Sequence, residues 1–300
     1  RRVLFRSVRD EQFWVWLNRL IGGESIAFVA EYEGQIIGHY AIIPRDMYVN
    51  GQLIKAALSV HAFVDPDYRN KVFIFQITQK LYEYSKEHGI QLIYGFPNVN
   101  YRNIQLKIEK WKQVDIFKSF EYDLRDTTPF QSIGVSSDKI DGVDFISLYN
   151  ISQMEDAESG VKLLSDARYW LERYILHPQK LYEVYALNKD KQHIGYFVTK
   201  VYSNNGTSYF HLIDYKLASD CFYDVLLNEF ERIGRAKQMD VLSVWQGDSK
   251  FRNAIDTIGF KQTGFDTFLG FKVLDDSLQD IDSILNINNW RLVMGDSDAF

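Results

Sequence analysis

One corner of the sequence combines basic residues with a backbone that can bind an anion. An apolar run that ends at Val64 precedes Arg69, Asn70 and Lys71, and a helical pattern begins at Phe73. The first amides of a helix are unpaired and the helix dipole is positive there, so anions bind at such an end. Asn70 also tolerates the left-handed conformation of a tight loop. The sequence therefore predicts an anion-binding strand-turn-helix corner.

This corner resembles a known motif. Residues 59–73 read S-V-H-A-F-V-D-P-D-Y-R-N-K-V-F, which is similar to the acyl-CoA motif of the GNAT N-acetyltransferase superfamily, a strand V-x-P-x-Y-R followed by R/Q-x-x-G-x-G/A. Arg69 takes the first loop position, whereas Val72 and Ile74 stand where the family has small residues. The resemblance implies acetyl-CoA, or another acyl-CoA, as cofactor. The residues expected to bind it are Phe63, Val64, Arg69, Asn70, Lys71, Val72, Phe73 and Asn98.

The flanking residues extend the resemblance. Residues 28–39 are similar to the strand pair that precedes the cofactor strand, and residues 95–98, G-F-P-N, match the second splayed strand and its asparagine. Trp111 resembles the G-W entry to the last hairpin, with Lys110 in place of the glycine. The match covers most of residues 25–120, and a looser copy runs from about 166 to 275.

The resemblance also implies which groups move protons. In this superfamily an amine attacks the thioester directly, and Tyr101 stands where a tyrosine would protonate the leaving thiolate. His61 has a suitable unperturbed pKa for the base. By similarity to tandem acetyltransferases, the carboxylate of Phe300, or Asp298 beside it, is a further candidate base. A packing role is the alternative for both Tyr101 and His61. Other candidates are Tyr94, His39, Glu31 and Asp65.

The order of elements predicts the fold class. Hairpins at Glu33-Gly34 and Asn50-Gly51, then a strand, a helix and a strand, repeat more loosely in the second half. We expect an α+β protein with two tandem GNAT-like domains, each a mixed, mostly antiparallel central sheet flanked by helices. The expected segments are an N-terminal domain at 8–127, a linker at 128–141, a C-terminal domain at 142–285 and a tail at 286–300. Residues 1–7 look like a sequencing-adapter artefact, so an opening strand and helix are expected upstream.

Composition argues against several classes of function, among them nucleic-acid binding and membrane spanning. The net charge of −6 argues against a nucleic-acid partner, and no apolar run approaches the roughly 20 residues of a membrane span. A single cysteine allows no intrachain disulfide, which favours the cytoplasm. The spacing of Cys and His predicts no metal site.

The function that the sequence favours is that of a bacterial, cytoplasmic, acyl-CoA-dependent N-acyltransferase. Acetyl is the expected acyl group and a small amine the expected acceptor; general resemblance to tandem GNAT proteins suggests an amino sugar of a polysaccharide pathway. Val72 and Ile74 favour one alternative, a catalytically degenerate GNAT-fold binding protein. Another is an aminoacyl transferase of the tandem-GNAT type, which would use charged tRNA, and the acidic net charge counts against it.

Overall fold

A computed structural model describes the chain over residues 11–18, 25–69, 73–125, 127–130, 134–140 and 160–297. Several residues singled out in the sequence lie outside these ranges, namely the adapter-like segment 1–7, Asn70, Lys71, Val72, Asp298 and Phe300.

The first half contains two predicted hairpins and a splayed pair of strands. Its described strands are β1 (Ile26–Tyr32), β2 (Gln35–Pro44), β3 (Met47–Val49), β4 (Gln52–Ile54), β5 (Ala56–Val64), β6 (Leu92–Gly95) and β7 (Lys112–Asp123). Its described helices are α1 (Glu11–Asn18), α2 (Phe73–Glu87) and α3 (Val99–Lys107). Both turn pairs, Glu33-Gly34 and Asn50-Gly51, have positive φ at each residue, as a two-residue hairpin turn requires. The predicted hairpins are therefore confirmed.

The second half repeats the order. Its described strands are β8 (Val135–Lys139), β9 (Val161–Leu163), β10 (Tyr182–Lys189), β11 (Gln192–Asn204), β12 (Thr207–Leu217), β13 (Val241–Trp245), β14 (Lys261–Val273) and β15 (Trp290–Arg291). Its described helices are α4 (Ala167–Trp170), α5 (Tyr223–Ala236), α6 (Ser249–Ile258) and α7 (Ile281–Leu285). Strand β8 falls inside the predicted linker and pairs with β10 at the sheet edge. Its sequence, V-S-S-D-K, has no apolar run that could have predicted a strand. No helix in the described ranges is long and apolar enough to cross a membrane.

The two halves share one sheet. The strand order is β1-β2-β5-β6-β14-β7-β13-β12-β11-β10-β8. Strand β14 of the second half lies between β6 and β7, and β7 of the first half lies between β14 and β13. Each half therefore lends a strand to the other. The α+β class with a mixed, mostly antiparallel sheet is confirmed, but the exchange was not predicted, because a strand's apolar pattern does not specify its partner.

The described part of the predicted tail, residues 286–297, packs into the core. Strand β15 joins a second sheet, in the order β15-β9-β3-β4, that again draws on both halves. Trp290 is fully buried and donates from Nε1 to the carbonyl of Ile284 at 2.7 Å. Met294 is also buried. Detaching the segment would expose the large apolar surface of the indole to water. The burial of Trp290 therefore holds this segment against the body of the protein.

Two glycines, Gly38 on β2 and Gly195 on β11, occupy the matched positions of the two Ile-Gly pairs in the sequence. A Cβ at Gly195 would lie 2.4 Å from the carbonyl oxygen of Lys216, a backbone atom, so a glycine is required there. A Cβ at Gly38 would lie 2.8 Å from Cδ1 of Ile77 on α2, which is the end of a flexible side chain and can shift.

Candidate functional site

A cavity opens where two parallel strands of the first half diverge. Strands β5 and β6 pair only over Ala56–Leu58 and Leu92–Tyr94. Beyond these pairs lies a cavity of about 210 Å³, bounded by residues 59–62 of β5 on one side and 96–98 on the other. Ligands of open α/β sheets bind beyond the carboxyl ends of strands, where neighbouring strands separate. Three predicted site residues, His61, Asn98 and Tyr101, line this cavity.

His61 lies at an irregularity of strand β5. Its φ is +53°, and the register with β2 shifts between His39 and Ala41. Nδ1–H of His39, in the tautomer that carries the proton there, donates to the carbonyl of His61 at 3.0 Å. The indole of Trp14 on α1 stacks on the His61 ring with centroids 4.8 Å apart. A left-handed histidine costs about 1–2 kcal/mol, and such strained residues cluster at functional sites.

Asn98 and Tyr101 are fixed by the start of helix α3. The side chain of Asn98 caps the helix, since it accepts hydrogen bonds from the amides of Asn100 and Tyr101 at 3.1 and 3.0 Å. The hydroxyl of Tyr101 donates to Oε1 of Glu109 at 2.6 Å. Asn98 is thus occupied by its own helix, and Tyr101 links the cavity to a buried carboxylate.

That carboxylate is the centre of a small polar network that sequence reasoning missed. Glu109 is 5% exposed, and its other oxygen accepts a hydrogen bond from the hydroxyl of Tyr82 at 2.6 Å. Nε1 of Trp111 donates in turn to Tyr82 at 2.8 Å. Burial raises the pKa of Glu109. The pKa of Tyr101 is raised as well, first by burial and then by the neighbouring Tyr40 and Glu109. Eight residues separate Tyr101 from Glu109 across a helix end, and no motif signals that contact.

The turn after α3 explains one departure from the family pattern. Lys110, which replaces the glycine of the motif, has φ of +59°. A glycine adopts this conformation without strain, so the backbone at Lys110 is one that would favour the glycine of the motif.

The described part of the predicted anion corner places Arg69 at the end of β5. Nε of Arg69 donates to the carbonyl of Val64 at 3.0 Å. Asp65 caps the short turn between them by accepting from the amide of Asp67 at 3.0 Å. Helix α2 begins at Phe73, and the side chain of Phe63 is 49% exposed. Arg69 therefore stands near the entrance of the helix, with the loop between them outside the described residues.

Tyr94, the alternative acid, belongs to another environment. It is fully buried in the core that both halves share and is not among the described residues that line the cavity. Its pKa is raised, first by burial. Tyr101 is therefore the better-placed tyrosine.

A buried ionic network ties the C-terminal segment to the first half. Arg45 pairs with Asp296 at 2.7 Å, and both side chains are almost fully buried. Tyr174 donates from its hydroxyl to Asp214 at 2.6 Å. Burial, and then the nearby charge of Asp296, raises the pKa of Asp214 to about 7. Asp214 therefore keeps its proton to a higher pH than an exposed carboxyl would.

Asp214 should make the stability of the protein depend on pH. Its pKa in the folded state lies above the unfolded value of about 4, so the folded state holds the extra proton between about pH 4 and 7, and stability falls as the pH rises through that window. The variant Asp214→Asn has no proton to lose there. We expect the free energy of unfolding of the wild type, minus that of Asp214→Asn, to decrease as the pH is raised from 5 to 8. Urea denaturation of both proteins at each pH measures this difference. A constant difference across this range would contradict the assignment.

Comparisons with known proteins agree with this geometry. Residues 2–105 match the family described as acetyltransferase (GNAT) domain. The fold is similar to that of a GCN5-related N-acetyltransferase from Anabaena variabilis, at 14% identity and a TM-score of 0.64, over 83% of this chain and 63% of that one. A conserved protein of unknown function from Enterococcus faecalis, described as a probable N-acyltransferase, has the same TM-score at 10% identity, over 84% and 63%.

A third similar structure contains a bound acyl-CoA. The N-myristoyltransferase of Saccharomyces cerevisiae with bound myristoyl-CoA matches at 13% identity and a TM-score of 0.61, over 87% of this chain and 73% of that one. The chain spans about 63% of the length of the Anabaena and Enterococcus proteins. The comparison with curated proteins gives no match.

Proposed function

From the premise that this chain is a protein of the GNAT superfamily, we propose that it transfers an acyl group from acyl-CoA to the nitrogen of a small amine. The observation that carries the proposal is the divergence of β5 and β6 around a cavity lined by His61 and Tyr101, in the half that matches the acetyltransferase domain. The cavity is small, about 210 Å³, which favours acetyl over a long acyl chain.

The residues around the cavity fit such a donor. Acyl-CoA supplies an acyl group activated as a thioester, whose carbonyl carbon an amine can attack. Arg69, at the end of β5 and before α2, would hold the diphosphate, because a guanidinium forms strong charge-assisted hydrogen bonds with phosphate oxygens. The exposed ring of Phe63 and the strand end at Val64 would cover the arm of the cofactor. Position 98 bounds the far side of the cavity.

Two side chains have suitable chemistry for the proton transfers. We propose that His61, which lines the cavity, takes the proton of the ammonium, because imidazole is a common general base in proteins. Tyr101 would give a proton to the thiolate. Its hydroxyl donates to Oε1 of Glu109, a carboxyl whose pKa is raised by burial. This hydrogen bond holds the phenol at the edge of the cavity, so Glu109 acts as a positioning residue.

Amino sugars are the acceptors that we would test first, and we place the reaction in the cytoplasm, because the single cysteine of the chain allows no intrachain disulfide. One observation favours the second candidate function, a GNAT-fold protein that binds without turnover: Ile74, the second residue of α2, stands where the family has a small residue.

Release of free thiol from acetyl-CoA separates the two candidates. The purified protein is mixed with acetyl-CoA and a panel of small amines that includes glucosamine, and thiol is measured with Ellman's reagent. The proposal expects release that depends on an amine and an acetylated product of the matching mass. Binding of acetyl-CoA without release for any amine would favour the binding protein.

A further inference from the structure

The second half contains a larger cavity at the position equivalent to the first. Strands β12 and β13 run parallel and pair only over Tyr209–His211 and Val241–Ser243. Beyond these pairs lies a cavity of about 610 Å³, which is within the range of small-molecule sites. Asp248 caps helix α6 at its edge, as Asn98 caps α3 in the first half. The two cavities therefore share a place in the fold but not a lining.

Carboxylates surround the second cavity. Among the described residues that line it, Asp214 comes from β12, Asp220 from the turn before α5, Asp248 from the cap of α6 and Asp296 from the C-terminal segment. Asp214 and Asp296 are each 4% exposed and lie at its buried side. Asp214 and Asp296 already accept hydrogen bonds from Tyr174 and Arg45. Asp220 and Asp248 are therefore the carboxylates that can accept hydrogen bonds from a ligand.

Basic side chains in the described lining equal these acids in number. The described lining contains Lys162, Lys216, Lys250 and Arg291. Lys250 pairs with Asp220 at 2.8 Å, and Arg291 lies 3.7 Å from Asp220. Neither a strongly anionic nor a strongly cationic ligand is favoured by such a lining. An apolar ligand would remove exposed charged side chains, those of Lys250 and Arg291, from water without compensation.

The helix ends at this cavity do not suit a phosphate. The side chain of Asp248 accepts from the amides of Lys250 and Phe251, both at 2.9 Å, so donors that an anion would use at α6 are already occupied. In the turn before α5, the carboxylate of Asp220 lines the cavity beside the start of the helix. The amide of Cys221 there donates to the hydroxyl of Ser219 at 3.3 Å. The diphosphate of acyl-CoA would meet negative charge here.

We propose that the cavity between β12 and β13 binds a neutral, hydroxyl-rich ligand of the carbohydrate class. A hydroxyl group both donates and accepts, so the ligand can donate to Asp220 and Asp248 and accept from Lys250 and Arg291 without bringing a charge into the site. The volume of about 610 Å³ accommodates a monosaccharide or a disaccharide. The site is separate from the acyl-transfer cavity, and the proposal stands whether or not the first half is catalytic.

The only cysteine of the chain provides a reporter for this site. Cys221 is exposed and lines the cavity, so a bound ligand should shield its thiol. The rate of alkylation by iodoacetamide is measured by mass spectrometry in the presence of glucose, galactose, mannose, N-acetylglucosamine, maltose, cellobiose or lactose. We expect at least one sugar to slow alkylation saturably, and acetyl-CoA to leave the rate unchanged.

Matched variants assign the effect to the cavity. Asp220→Asn removes one charge-assisted acceptor, which is worth about 1.5–3 kcal/mol, so the half-effective sugar concentration should rise at least about tenfold. Asp256→Asn, on the same helix as Lys250 but outside the described lining, should not change it. If Asp220→Asn unfolds, Lys250→Gln replaces it with the same expectation. Protection by no sugar, protection by acetyl-CoA, or equal protection in all variants would overturn the proposal.

Discussion

Replacing Tyr101 by phenylalanine is expected to lower the turnover number at least about 100-fold, because a positioned general acid contributes roughly 10²–10⁴ to the rate. The hydroxyl of Tyr101 is the only part of the side chain that is lost, and the ring still lines the cavity and packs against Tyr40. The KM for acetyl-CoA should change little. Initial rates of thiol release over a range of acetyl-CoA concentrations measure both quantities.

The chain provides a closely matched control for this variant. Tyr82 donates to the other oxygen of Glu109 at the same distance, 2.6 Å, but is not among the described residues that line the cavity. Tyr101→Phe and Tyr82→Phe should each lose about 1–3 kcal/mol of stability, since each leaves Glu109 with one donor fewer. Only Tyr101→Phe should lose turnover by the expected factor. If the two variants lost turnover equally, the effect would come from the packing around Glu109 alone.

The second large effect concerns stability. Arg45→Met should lower the free energy of unfolding by about 3–5 kcal/mol at neutral pH, because it leaves the carboxylate of Asp296 buried without its cation. The loss should shrink as the pH falls. Without Arg45 the pKa of Asp296 in the folded state rises further above the unfolded value, so protonation restores stability on the acid side. Guanidinium denaturation at pH 5 and pH 8 tests both statements.

An exposed ion pair provides the comparison. Lys80 pairs with Glu83 on helix α2 at 3.2 Å, with side chains 71% and 60% exposed. Lys80→Met should change stability by no more than about 1 kcal/mol, because solvent screens such pairs. If Arg45→Met behaved like Lys80→Met, the Arg45–Asp296 pair would not hold the C-terminal segment to the first half.

Local patterns predicted the hairpins, strand β5 and helix α2 of the first half. The turn pairs Glu33-Gly34 and Asn50-Gly51 specify the hairpins, and they depend only on residues close together in the chain. His61, Asn98 and Tyr101 were singled out through the family resemblance, and the structure shows that all three line one cavity.

Long-range pairing could not be predicted in the same way. The exchange of β7 and β14 depends on which strand edges meet, and the apolar pattern of either strand fits several partners. Glu109 reads as a surface residue in the sequence, yet it is buried because two tyrosines donate to it. Asp296 lies in a polar stretch of sequence, and nothing local predicts its contact with Arg45, 251 residues away.

Calorimetric titration of acetyl-CoA into the protein tests the proposed cofactor site most directly. We expect saturable binding, with affinity reduced about tenfold or more in Arg69→Ala, because one charge-assisted hydrogen bond to phosphate is worth about 1.5–3 kcal/mol. Lys80→Ala, farther along helix α2, should bind as the wild type does. An absence of saturable heat, or the same affinity in Arg69→Ala as in the wild type, would contradict an acyl-CoA site at the junction of β5 and α2.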